Sequence, residues 1–154
     1  MVDSLTKDQR HRVMANIHGK NTKPEMTVRR LLFAAGYRYR LHAPNLPGKP
    51  DIVFSARHKV IFVNGCFWHS HTCPNGTHQP ATNPEFWAAK RSRTVERDAR
   101  DLARLAGTDW LAMTVWECEL RRIDEVKVAL VQFLGPPRLR DAPATAPTNG
   151  RAAA

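Results

Sequence analysis

Residues 51–65, Asp51-Ile52-Val53-Phe54-Ser55-Ala56-Arg57-His58-Lys59-Val60-Ile61-Phe62-Val63-Asn64-Gly65, decide the fold. Asp51 to Phe54 read as a short strand, residues 55–58 as a turn, and Val60 to Val63 as an apolar run short enough to be a buried central strand. Gly65 ends that strand. Upstream, Pro44 to Pro50 carries three prolines and a glycine and must be a loop. Residues 37–41, Tyr-Arg-Tyr-Arg-Leu, alternate as a half-buried strand does.

Helices bracket these strands. Thr6-Lys7-Asp8-Gln9 has capping-box spacing and predicts a short helix ending near Gly19. Thr22-Lys23-Pro24-Glu25 repeats the signal, with Val28, Leu31, Leu32 and Ala35 at helical spacing and Gly36 as the stop. Downstream, residues 66–82 are irregular. Asn83-Pro84 starts a helix that runs to Ala106, residues 110–115 form another strand, and Asp124 caps a last helix through Phe133. The order αα-βββ-α-β-α predicts an α/β fold, a mixed sheet flanked by helices. Three segments follow: a basic N-terminal helix (1–20), the main domain (21–134) and a Pro/Ala-rich disordered tail (135–154).

The chain has 154 residues, with 24 Lys/Arg against 14 Asp/Glu, a net charge of +10. Such a surplus points to a polyanionic partner, nucleic acid or an anionic membrane. Residues 1–43 hold +6 of it, whereas 85–134 sum to zero, so the N-terminal arm is the expected phosphate-facing element. No apolar stretch approaches the ~20 residues that span a bilayer, and the polar N-terminus has no secretory core. A soluble cytoplasmic protein is expected. Three cysteines, an odd number, argue against a closed disulfide framework.

Cys66-Phe67-Trp68-His69-Ser70-His71-Thr72-Cys73 gathers two thiols and two imidazoles, and Cys118 stands at a strand end from which it can return to them. Thiolate and imidazole are the usual donors of a tetrahedral zinc site. Cys66, His71, Cys73 and Cys118 fill such a shell, with His69 in place of His71 as the alternative. A closed four-donor site is structural and staples a loop too polar to fold by burial alone. Asp51, held by a rigid loop and a strand, together with a backbone carbonyl from the end of the next strand, makes a hard-oxygen site suited to magnesium. Phe67 and Trp68 on a polar loop read as a wedge that stacks between bases. In the second aromatic pair, Phe86-Trp87, one ring should face the core, with Trp87 the exposed one.

Taken together, residues 46–51 (Leu-Pro-Gly-Lys-Pro-Asp), 61–69 (Ile-Phe-Val-Asn-Gly-Cys-Phe-Trp-His), Phe86-Trp87 and 115–119 (Val-Trp-Glu-Cys-Glu) resemble the very-short-patch-repair (Vsr) DNA mismatch endonucleases. The resemblance runs from about Lys7 to Arg122 and includes residues 19–25. It implies a restriction-endonuclease-like fold with a structural zinc site, in a cytoplasmic, nucleoid-associated bacterial repair enzyme. Such an enzyme nicks one strand 5′ of the thymine of a T·G mismatch left by deamination of 5-methylcytosine. It further implies Asp51 and the Val63 carbonyl as ligands of a catalytic Mg2+, and His69 as general base. Cys66, His71, Cys73 and Cys118 would be the ligands of a structural Zn2+, and Phe67, Trp68 and Trp87 the intercalating wedge. Glu25 is implied as an accessory carboxylate, and Asp98 as a polar partner near His69 or the mismatch. Asn64 stands where some members carry a second active-site histidine; it can orient a water or phosphate oxygen but cannot shuttle a proton. The implied partner is double-stranded DNA with a T·G mismatch, bound by a monomer without membrane contact, with mismatch-repair proteins as candidate associates. The competing readings are a nuclease of the same fold that cuts fully paired sites, and a zinc-stapled DNA-binding module without catalysis.

Overall fold

A computed structural model describes residues 6–15 and 20–138. The elements are helices α1 (Lys7–Ala15), α2 (Lys23–Ala34), α3 (Pro74–Thr77), α4 (Pro84–Ala106) and α5 (Ile123–Leu134), and strands β1 (Arg40–Leu41), β2 (Ile52–Phe54), β3 (Lys59–Asn64) and β4 (Leu111–Trp116). The sheet order is β1-β2-β3-β4. β1/β2 and β2/β3 are antiparallel and β3/β4 parallel, so the sheet is mixed as expected. The parallel pair is joined by the loop carrying the cysteines and by α4, the long crossover that parallel pairing requires.

Local chemistry explains most boundaries. Thr6 N donates to Gln9 Oε1 at 2.9 Å and Gln9 N to Thr6 Oγ1 at 3.2 Å, a reciprocal capping box. At α2 the box is only half made. Glu25 N donates to Thr22 Oγ1 at 3.4 Å, while the Glu25 carboxylate turns back to accept from Asn21 N at 3.0 Å. Gly36 takes φ +95°, which ends α2 as a glycine without Cβ strain can.

The main core lies between α2, α5 and the sheet, formed by Val28, Leu32, Tyr37, Ile52, Phe54, Ile61, Val115, Val126, Leu130 and Leu134. Each such side chain removed from water contributes about 1.5–3 kcal/mol. A smaller cluster of Val53, Val60 and Leu105 seats α4 on the other face, so helices cover both sides.

Four expectations need correction. The strand expected over residues 37–41 is only Arg40–Leu41, because the Tyr37 hydroxyl turns inward to donate to Gly135 O. Asp124 is not a cap: a 3-10 helix, Glu117–Arg122, leads straight into α5 and leaves Asp124 inside its first turn. Residues 135–138, expected as the start of a free tail, are held down. Arg57 donates to Leu134 O at 2.7 Å and to Pro136 O at 3.0 Å. Finally, Phe86 is the exposed ring of its pair, and Trp87 is half-buried. The expected N-terminal arm falls partly outside the described residues, at 1–5 and 16–19, as does the expected tail at 139–154.

Candidate active site

An open cleft of about 1070 Å³ lies where β2 begins and β3 ends, and Asp51, Val63, Asn64, His69 and Asp98 all line it. Asp51 precedes β2, and its Oδ2 accepts from Val63 N at 2.8 Å across the strand pair. The turn before it depends on Gly48, at φ +75°, where a Cβ would press on Phe62 and Asp101 at 3.1–3.2 Å. Burial raises the Asp51 carboxyl from 3.8 to about 6; the Val63 hydrogen bond opposes the rise and the Glu25 charge adds to it. A carboxylate held at that cost is one that a bound cation would stabilise.

His69 sits on the loop after β3, and its Nδ1 lies 2.5 Å from Asp98 Oδ2 on α4. That contact fixes the imidazole and leaves Nε2 as the nitrogen available for proton transfer. Asn64, the last residue of β3, is half-buried and lines the same cleft.

His42 also lines the cleft, and the buried Glu25 lies against it. Glu25 is 1% exposed. Its Oε1 comes within 3.2 Å of His42 Nε2 but without hydrogen-bond geometry, so both buried atoms lack a hydrogen-bond partner. Donor atoms of Glu25, His42 and Asp51 all lie within 4.8 Å of one another. His42 escaped the sequence reading. The β1/β2 register, which pairs Leu41 with Ile52, carries His42 opposite Asp51, where His42 N donates to Asp51 O at 3.2 Å. That register was the signal that would have found it.

The cysteine cluster forms on one flank of the cleft. Cys66, His71, Cys73 and Cys118 bring one donor atom each to within 4.8 Å of one another, and His69 stands outside, so His71 is the imidazole of this group. Cys118 Sγ lies 3.4 Å from His71 Nδ1, and Cys118 N donates to Cys66 Sγ at 3.4 Å. The three cysteines form no disulfide. Burial pushes the Cys66 thiol up to about 12 while its contact with His71 brings Cys73 down to about 6. A buried thiol that resists ionisation becomes a thiolate donor when a cation is bound, and the four donors fit one.

Arg91, also missed from the sequence, ties this loop to α4. It donates to Ser70 Oγ at 3.1 Å, to His78 O at 3.0 Å and to Gly76 O, and its guanidinium lies 4.9 Å from the Phe67 ring centroid. Gly76 is required, since any Cβ there would overlap the His71 backbone. Phe67, Trp68 and Trp87 close on one another edge-on, with centroids 5.2–5.8 Å apart, and Lys90 lies over both tryptophans.

A basic stripe runs along α4. Lys90, Arg93, Arg97, Arg100 and Arg104 recur at alternating steps of three and four residues, all exposed, and the last three line the cleft. Summing charge over residues 85–134 had hidden this face, on which Asp98 and Asp101 also line the cleft and pair with Arg97 and Arg104 at 3.6 and 4.0 Å.

Comparison with known proteins is consistent with this geometry. A family model described as DNA mismatch endonuclease Vsr matches residues 2–75. The chain is 43% identical over 136 residues to the type II nicking enzyme V.XorIIP of Xanthomonas oryzae, covering 88% of this chain and 99% of that protein. The chain belongs to the Vsr family. Within it, the chain is 44% identical to the type II nicking enzyme V.NmeAIP of Neisseria meningitidis, covering 79% of this chain and 86% of that one. It is 41% identical to the DNA mismatch endonuclease Vsr of Escherichia coli, over 79% of this chain and 77% of that one. The catalytic domain of homing endonuclease I-Bth0305I shares the fold, with a TM-score of 0.52, 23% identity, and coverage of 73% of this chain and 94% of that one. Among the described residues no helix is long and apolar enough to cross a membrane.

Proposed function

We propose that this chain is a DNA mismatch endonuclease that nicks one strand 5′ of the thymine in a T·G mismatch. The observation that carries the reading is the convergence of Asp51 and an Asp98-held His69 on one cleft, flanked by the Phe67, Trp68 and Trp87 rings. The α4 stripe and the basic residues before α2 supply phosphate contacts and orient the duplex. The aromatic rings enter the stack, and a mismatched step, being easier to unstack, is favoured.

His69 Nε2 accepts a proton from the attacking water, and Asp98 holds the ring as it becomes charged. Asp51, with the Val63 carbonyl, would hold Mg2+; in an extended strand the carbonyl leaves on the same edge as the Val63 N–H that meets Asp51. When bound, that ion neutralises charge developing on the scissile phosphate. Glu25 supports this site as an accessory carboxylate, and Asn64 orients water or a phosphate oxygen. Zn2+ at Cys66, His71, Cys73 and Cys118 gives His69 and the aromatic wedge one rigid support. The enzyme works as a monomer in the bacterial cytoplasm at the nucleoid, with mismatch-repair proteins as associates; residues 1–20 contact the groove, 21–134 form the nuclease and 135–154 the tail, whose start Arg57 holds to the nuclease.

The test is incubation of purified protein with T·G and fully paired duplexes, with Mg2+ and with EDTA, read on a denaturing gel. A Mg2+-dependent cut in the thymine strand of the T·G duplex alone is expected. Equal cutting of paired DNA, or binding without any cut, would replace the proposal with one of its rivals.

A further inference from the structure

We infer that Glu25, His42 and Asp51 form one divalent-ion cradle whose imidazole makes it prefer Mn2+ over Mg2+. The inference rests on the reading of Asp51 as metal ligand and extends it to a donor set and a selectivity. Glu25 is buried with no hydrogen bond to its Oε1, and His42 Nε2 faces it at ion-pair distance, 3.2 Å, likewise without a hydrogen bond. Buried polar atoms are almost always satisfied, and two orphans aimed at each other beside a third donor mark a place for a cation.

The spacing suits one ion. Donors bound at about 2.1 Å stand up to about 4.2 Å apart across the metal, and these three, within 4.8 Å of one another, need close by no more than about 0.6 Å to share one. Both carboxylates are held in place from behind. Glu25 Oε2 is steadied by Asn21 N at 3.0 Å, and Asp51 Oδ2 by Val63 N at 2.8 Å, so each carboxylate keeps one oxygen for the ion. Arg29 Nη1, 3.7 Å from Glu25 Oε1, is tied at 2.8 Å to Asn21 Oδ1 and does not satisfy that oxygen. Two carboxylates alone would suit Mg2+, a hard ion that favours oxygen and gives up water reluctantly. A nitrogen donor shifts the set toward the first-row transition series, in which Mn2+ still accepts carboxylate oxygens.

The experiment titrates Mn2+ into the zinc-loaded full chain without DNA, following loss of the free Mn2+ electron paramagnetic resonance signal, with Mg2+ as competitor. The wild type should bind Mn2+ and require at least a tenfold excess of Mg2+ to release it. His42→Gln should weaken Mn2+ by about tenfold or more, on the scale of losses seen at metal-supporting residues, while leaving Mg2+ affinity nearly unchanged. Glu25→Gln should weaken both ions. Unchanged Mn2+ affinity and selectivity in folded His42→Gln and His42→Asn would overturn the inference, as would wild-type selectivity for Mg2+. Because no DNA is present, a failure here is separate from failure of Asp51 to support nicking.

Discussion

His69 Nδ1 and Asp98 Oδ2, 29 positions apart in sequence, meet at 2.5 Å and so bridge the cysteine loop to the middle of α4. The bridge fixes which imidazole nitrogen faces the cleft. Asp98→Asn keeps the shape but changes the partner, and should lower single-turnover nicking by about 10²–10⁴-fold, the range of a lost acid–base contribution. His69→Ala should fall as far, and the double variant no further. DNA affinity measured by anisotropy should stay within about twofold; a parallel loss of affinity would make the pair a binding element instead.

Asp51 should trade activity against stability. Its folded pKa, about 6, lies above the ordinary 3.8. The folded metal-free chain therefore holds more protons than the unfolded one between these values, and its stability falls as pH rises through that window. Above pH 6 the full cost is present; below about 4 it is gone. Asp51→Asn should raise the metal-free melting temperature at pH 7 by a few degrees, flatten its pH dependence and abolish nicking. Nicking by the wild type at limiting Mg2+ should climb as pH passes through about 6. A lower melting temperature for the variant would count against this account.

The cysteine cluster should be a folding element. Cys118→Ser removes one of four donors, and zinc content by mass spectrometry should drop below one per chain with loss of cooperative melting. Gly76→Ala perturbs the same loop without replacing a donor side chain, since its new methyl must displace the backbone of His71. Both variants should be poorly soluble; an active, zinc-free Cys118→Ser protein would refute the structural role.

The α4 stripe should carry affinity without specificity. Arg97→Ala and Arg100→Ala should each weaken binding to T·G and paired duplexes equally and reduce the salt slope by about one phosphate contact. Phe67→Ala and Trp68→Ala should behave oppositely, losing preference for the mismatch by about 1–3 kcal/mol per stacked base at an unchanged salt slope.

The contrast between these residues shows what a sequence reveals. The cysteine group was legible because donor type, odd cysteine number and a strand-end Cys118 all agree. Asp51 and the β2–β3 pair were legible because strand length and turn chemistry are local. The Glu25 carboxylate was read as a helix cap and, through the family resemblance, as an accessory carboxylate; it does cap, but the backbone it serves is Asn21, and its second oxygen faces His42 Nε2. His42 was invisible because only strand register sets it opposite Asp51. The α4 stripe was invisible because net charge is a sum, which does not register five cations recurring at helical spacing on one exposed face. Trp87 was placed on the wrong side because the cysteine loop, which has no periodicity, provides the rings it packs against.

The parallel register of β3 with β4 sets Asn64 beside Trp116 and so delivers Cys118 to Cys66. A nascent chain halted before residue 111 already contains Asp51, His69 and Asp98 but lacks β4 and the fourth donor that follows it. On this arrangement an interrupted translation product would be a harmless fragment, and the cell would meet a cutting enzyme only after synthesis has passed β4.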